Sequence, residues 1–190
     1  MNFTEIHTEV LRLTKRPDKT VEAATAINRV VSFLTLKGNF AQDFLESSLT
    51  VDSTSYGTTI ALTALTRFRK FKYMKPTGKR YYLSPLAADM ILTPKGNVQP
   101  NVYYVSGTSL TYTLSELTTA LEVGYFSYAP TLDAVVLPTH WMFTIMPYAI
   151  IDLAAAKVFM DCGDEASSRL STATGMEFFL AARRDMQENE

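Results

Sequence analysis

Apolar residues recur at helical spacing at both ends of the chain, while the middle is rich in Thr, Tyr and Val. This change of period constrains the fold more than any other feature. Phe3, Ile6, Val10 and Leu13 mark one helix face behind Asn2, a good N-cap residue. Pro17 and Asp18 break and restart the chain, and Val21, Ala24, Ile27, Val31 and Leu34 mark a second helix. Gly38-Asn39 ends or interrupts it, with Phe40 to Leu45 able to continue for another turn. Helical period returns after Pro138-Thr139, where Ile145, Tyr148, Ile151, Ala155, Val158 and Phe159 fall on one side. Pro147 kinks this helix or starts a fresh segment. Gly163-Asp164 supplies a stop and a cap, a last helix is expected from Glu165 to Met186, and the tail after it is expected to fray.

Between these ends, Thr, Tyr and Val fit a pleated, half-buried surface. Expected strands are Leu49–Val51, Thr58–Leu62, Leu65–Tyr73, Lys79–Leu83, Val102–Val105, Ser109–Leu114 and Leu121–Tyr128. Turn signals at Tyr56-Gly57, Lys75–Gly78, Lys95–Asn97 and Ser106-Gly107 separate several of them. Ser84 to Asp89 reads as a short helical turn capped by Ser84, with Pro85 at its first position. The expected class is α+β: a helical bundle from 1–47 and 138–190, with an inserted antiparallel β-rich region over 48–137.

Composition narrows the function classes. A net charge of −1 argues against a generic nucleic-acid coat protein, which would be strongly basic. The charged share is 19%, below the ~25% of an average soluble chain, which points to a surface partly covered by partners. One cysteine, Cys162, forms no intramolecular disulfide and no zinc site by itself. It is expected to be a buried structural thiol, since Asp161 and Asp164 flank it and a reactive thiol needs cations. His7 and His140 read as surface or capping residues. No phosphate-binding loop, dinucleotide fingerprint or nucleophile elbow occurs. The expectation is therefore no enzyme, no cofactor and no metal, with a hydrolase using an unrecognised acid pair as a minor alternative. No apolar run of about 18 residues is present, and the first residues lack the apolar core of a signal peptide. A soluble protein made in a reducing cytoplasm, with no membrane partner, is expected.

Two segments stand out as contact surfaces. Arg67, Arg69, Lys70, Lys72, Lys75, Lys79 and Arg80 are seven of the 18 basic residues and have no acid among them in sequence. Strict alternation puts Arg67, Arg69, Phe71 and Tyr73 on one face and Phe68, Lys70, Lys72 and Met74 on the other. Charge on both faces indicates an edge strand or hairpin. It either meets phosphates or an acidic partner, or is a solvated edge kept soluble by its lysines. The second segment is aromatic: Tyr125, Phe126 and Tyr128 lie on both faces of one strand, and Met176, Phe178, Phe179 and Leu180 surround more of the last helix than one stripe requires. Core packing accounts for part of this, and a subunit interface for the rest.

FTEIHTEVLRLTKRPDKTVEAATAINRVVSFL and LEVGYFSYAPTLDAVVLPTHWMFTIMPYAIIDLAAAKVFMDCGDEASSRL, together about half the chain, complete this layout. In layout and segment character the chain resembles the head-to-tail adaptor (connector) proteins of tailed bacteriophages. The resemblance implies a non-enzymatic virion protein, made in the host cytoplasm and placed at the head–tail junction as a homododecameric ring. Its partners would be the portal protein and the tail nozzle or tail-fibre proteins, with double-stranded DNA passing through the lumen without tight specific binding. The last helix would be the portal-docking element, with Arg183 and Arg184 contributing. The basic segment would then sit on a portal-facing or tail-facing hairpin. The alternative is a nucleic-acid-binding module using 67–80 for phosphate contact and base stacking.

Overall fold

A computed structural model describes residues 1–51, 58–87 and 100–187. The fold is α+β, and the chain divides into a helical unit, Met1–Gly38 with Ala129–Glu190, and a β unit, Asn39–Tyr128. Both passages between the units fall nine residues before the positions expected from composition, 47 and 137. The reasons are local. The second helix stops at Lys37, and Phe40 to Leu45 forms a single 3-10 turn, Ala41–Asp43, before a strand begins at Phe44. At the return, 129–140 is irregular and belongs to the helical unit.

The helical unit contains α1 (Phe3–Thr14), α2 (Thr20–Lys37), α3 (Trp141–Ile145), α4 (Pro147–Asp161) and α5 (Glu165–Gln187). α1 starts with a capping box: Asn2 Oδ1 accepts from the Glu5 N–H and Glu5 Oε2 from the Asn2 N–H, each at 2.9 Å. It buries Phe3, Ile6 and Val10, but Thr14 rather than Leu13 completes the buried stripe. Thr14 satisfies its hydroxyl on the Val10 carbonyl at 2.9 Å. α2 buries Ala23, Ala26, Ile27, Val30, Val31 and Leu34, leaving Val21 exposed. Pro147 starts a fresh helix, as a proline at the first position allows.

α4 corrects the single stripe expected from sequence. It packs against α1, α2 and α5, burying Ala149, Ile150, Ile151, Leu153, Ala154, Ala155, Ala156 and Val158 around most of its circumference, while Ile145 of α3 and Tyr148 lie exposed. A helix apolar all round is the signature of a buried one. Its small residues let α5 approach closely. A Cβ on Gly175 would lie 3.1 Å from the Leu153 amide nitrogen and 3.2 Å from the Ala149 carbonyl oxygen. About two turns earlier, Ser168 Oγ donates to the Ala156 carbonyl at 2.9 Å.

The β unit holds β1 (Phe44–Thr50), β2 (Thr58–Ala61), β3 (Phe68–Pro76), β4 (Ser84–Pro85), β5 (Val102–Ser106), β6 (Ser109–Thr113) and β7 (Ala120–Ser127). One antiparallel sheet has the order β1-β7-β3, the other β2-β6-β5-β4. The sheets share a core that includes Leu49, Met74, Leu110, Tyr112, Leu121, Val123 and Tyr125. Ser106-Gly107-Thr108-Ser109 closes the β5–β6 hairpin with Gly107 at φ +58°, which a primed two-residue turn requires. Two expectations fail here. Lys79–Leu83 is not a strand; it turns the chain so that the Leu83 N–H bonds the Met74 carbonyl at 2.8 Å. Ser84–Pro85 is not helical but pairs with β5, in parallel, so the insertion is not wholly antiparallel. The turns expected at 56–57 and 95–97, the end of the turn at Asp89 and the tail 188–190 lie outside the described residues.

Candidate functional site

β3 carries most of the basic segment and is an edge strand of its sheet. Its register against β7 shifts twice, between Phe68 and Lys70 and between Phe71 and Tyr73, so Arg69 and Lys72 are the extra residues of two bulges. The strict alternation expected from sequence is therefore wrong. Phe68, Phe71 and Met74 stand opposite Ser127, Tyr125 and Val123 and pack on the core side. Lys70, Tyr73 and Lys75 stand opposite Phe126, Gly124 and Glu122 on the outer side.

Acids from elsewhere in the β unit meet this segment. Lys75 Nζ lies 2.7 Å from Glu122, its register partner, and Lys79 pairs with Glu116. Each carboxylate raises its lysine's pKa through the hydrogen bond. Both pairs are partly exposed and contribute little stability. Tyr73 Oη donates to Glu46 Oε1 at 2.7 Å, which with desolvation pushes the phenol up to about 12. Arg69 donates to Asn39 Oδ1 at 2.9 Å and lies, with Lys70, over the Phe126 ring at 5.5 and 5.6 Å. Lys72 lies 5.2 Å over Phe44. Arg67 and Arg80 are exposed. The rings of Tyr73 and Phe44 close over Gly124, where a Cβ would fall 2.3 and 2.6 Å from them. Sequence reasoning missed Asn39, Glu46, Glu116 and Glu122, because strand register brings Glu46 and Glu122, and the paths of two connecting segments bring Asn39 and Glu116, to the basic segment.

The aromatic candidates separate. Tyr125 is 3% exposed and belongs to the core; Phe126 is buried beneath Phe44, Arg69 and Lys70. Neither ring is presented to a partner, which corrects their assignment as interface residues; Tyr128 is exposed. On α5, Phe179 is buried inside the helical unit, Met176 and Arg183 are partly buried, and Phe178 and Arg184 are exposed. Phe178 meets Tyr148 of α4 with ring centroids 5.8 Å apart, although the two residues remain 45% and 63% exposed.

On the other side of α5, a cleft of about 420 Å³ opens between α2, α4 and α5. Val30, Phe33, Leu153, Met160 and Met176 give it an apolar floor and wall, and Arg29 and Lys157 are its cations. Elsewhere in this unit, Asp133 Oδ1 accepts from the N–H groups of Val135 and Val136 at 2.7 and 2.5 Å. Those bonds hold its carboxyl below the ordinary range. They also fix a turn that leaves Val135 and Val136 86% and 82% exposed.

The expected chemistry residues serve structure. His7 Nε2 donates to the Thr20 carbonyl at 2.8 Å, tying α1 to the start of α2, and His140 Nδ1 accepts from the Met142 N–H at 3.4 Å as the cap of α3. Cys162 is partly exposed rather than buried, and the Arg16 guanidinium reaches its Sγ at 3.2 Å, a cationic neighbour that the sequence hides. Among the described residues no group of three His, Cys, Asp or Glu side chains is placed to hold a metal ion, and no helix is long and apolar enough to cross a membrane. Compared with known proteins, the chain matches no family model and no curated protein.

Proposed function

We propose that the chain is a structural virion protein: an adaptor-ring subunit that joins the portal to the tail and forms part of the DNA conduit. The observation that carries this reading is the paired, exposed Tyr148 and Phe178 on the helical unit. Two exposed aromatics in tilted contact contribute little to a solitary chain, whereas aromatic anchors dominate protein interfaces. The layout supports it as well, since the two ends of the chain fold together into one unit and the segment between them in sequence folds into another. In this reading Phe178, Arg183 and Arg184 face the portal or a neighbouring subunit. Tail nozzle or tail-fibre proteins meet the opposite end, and double-stranded DNA passes without tight specific binding.

The test is size-exclusion chromatography with light scattering, on the chain alone and with the portal protein of its own phage. A portal-bound ring, expected at twelve copies, supports the reading. A strictly monomeric chain that never binds the portal overturns it.

The second reading, a nucleic-acid-binding module, is favoured by Arg67, Lys70, Lys72 and Arg80, none of which is in an ion pair among the described residues. Of the aromatics interleaved in this segment, Phe68 and Phe71 pack against the core and Tyr73 lies over Gly124 with its hydroxyl on Glu46, so this module would touch phosphates without stacking bases. It predicts duplex DNA binding that falls steeply with salt and weakens in Lys70→Glu/Lys72→Glu. Absent or salt-independent binding removes it.

A further inference from the structure

We propose that the helical unit associates head to tail with a second copy of the chain. The face of one copy built on Tyr148, Asp152 and Phe178 seats on the Arg29–Phe33–Lys157–Met160 cleft of the next, with Asp152 against Lys157 and Arg29. The inference rests on the ring reading above and names the surfaces that would build the ring.

The two faces flank α5. At 3.6 residues per turn, Tyr148 and Asp152 lie one turn apart on one side of α4, and Lys157, nine residues after Tyr148, lies on the opposite side. α5 presses on α4 between them, with Gly175 against Ala149 and Leu153. Met176 and Phe178 are two residues apart on α5, so they point to opposite flanks: Met176 lines the cleft, and Phe178 meets Tyr148. Neither face can reach the other within one copy.

Their chemistry is complementary. Asp152 is partly buried, and among the described residues no donor or cation reaches its carboxylate; burial alone raises its pKa. Arg29 and Lys157 are exposed beside an apolar cleft, and neither is in an ion pair among the described residues. One face is thus aromatic with an uncompensated acid, and the other is apolar with two uncompensated bases. A two-fold contact through either face would set like charges against each other, which is repulsive. A head-to-tail contact pairs them, and head-to-tail contacts close into rings when the rotation allows.

The experiment is sedimentation velocity over a concentration series on the full chain, its Asp152→Lys and Lys157→Glu variants, and an equimolar mixture of those two. Circular dichroism checks that each is folded, and Asp152→Asn serves if Asp152→Lys is not. Each single variant should weaken self-association about tenfold or more. Mixing the two charge reversals should restore it, because each reversed face then meets a complementary one. Association unchanged by either reversal, or weakened by both and not rescued by mixing, overturns the proposed faces. A chain that stays monomeric alone also overturns them, while the ring reading is decided separately by whether the portal protein gathers copies.

Discussion

Asn28 on α2 makes both backbone hydrogen bonds of Leu132, accepting from its N–H at 2.7 Å and donating to its carbonyl at 2.9 Å. The pair spans 104 residues and fixes the irregular stretch after the β unit onto the second helix, with the Leu132 side chain fully buried beside it. One side chain therefore supplies what a neighbouring strand would otherwise supply.

Asn28→Ala leaves a part-buried N–H and C=O without their partner, which costs about 2 kcal/mol. Urea unfolding should show a lower midpoint with an unchanged slope. Asn28→Asp keeps the acceptor but sets a carboxylate against the Leu132 carbonyl, so at neutral pH it should be at least as destabilising. A midpoint unchanged in both variants would mean that this stretch is held by the Leu132 side chain alone.

Gly175→Ala should destabilise the helical unit despite alanine's better helix propensity. The added Cβ meets the backbone of α4 at 3.1 and 3.2 Å, and backbone atoms cannot swing aside as a side-chain end can. The propensity gain of about 1 kcal/mol is set against overpacking of about 1–3 kcal/mol. Thermal unfolding should show a lower Tm, and a rise would show that α5 can slide outward without loss.

What could be read from the sequence was what is local. The α1 cap was legible because Asn2 is a good N-cap residue placed just before the first apolar position, though the Glu5 half of its box was not read, and the β5–β6 turn because Gly107 sits between two Thr- and Tyr-rich runs. Partners from distant segments were not. α4 shows no single stripe because α1, α2 and α5 cover it from several sides, and Tyr148 appears apolar in sequence although it faces water. The bulges at Arg69 and Lys72 are set by β7, so a period of two misassigned the faces of β3. The aromatic run at 125–128 was visible, but its burial depends on Phe44 and on the cations of β3. The cleft residues Arg29, Phe33 and Lys157 carried no sequence signal beyond spacing, since they lie on two helices separated by the whole β unit.

The Asp133 turn should loosen in acid. Its folded pKa lies below the unfolded value because the carboxylate accepts backbone N–H bonds from Val136 and Val135. Its contribution is therefore complete above the unfolded value of about 4 and is lost as the pH falls through the lower folded one. An NMR titration of the Asp133 carboxyl carbon should give a midpoint below that of a peptide Asp. Asp133→Ala should speed proteolysis beside Val135 at neutral pH. A peptide-like midpoint would show that the turn is held without the carboxylate.

Asp152 has the opposite sign. Burial holds its folded pKa above the unfolded value, so between the two the native chain binds the extra proton, and stability falls as the pH rises through that window. Above the folded pKa the penalty is at its full value, and below the unfolded pKa it is absent. Asp152→Asn should then be more stable than the parent at neutral pH, by urea unfolding, and equal to it in strong acid. The same substitution removes the charge that meets Lys157 across the proposed contact, so self-association should weaken several-fold in the same sample. A residue that only supports its own helix would move both readouts in one direction; opposed movement is what a desolvated acid reserved for a neighbouring copy produces. Greater stability with undiminished association would place Asp152 outside the contact.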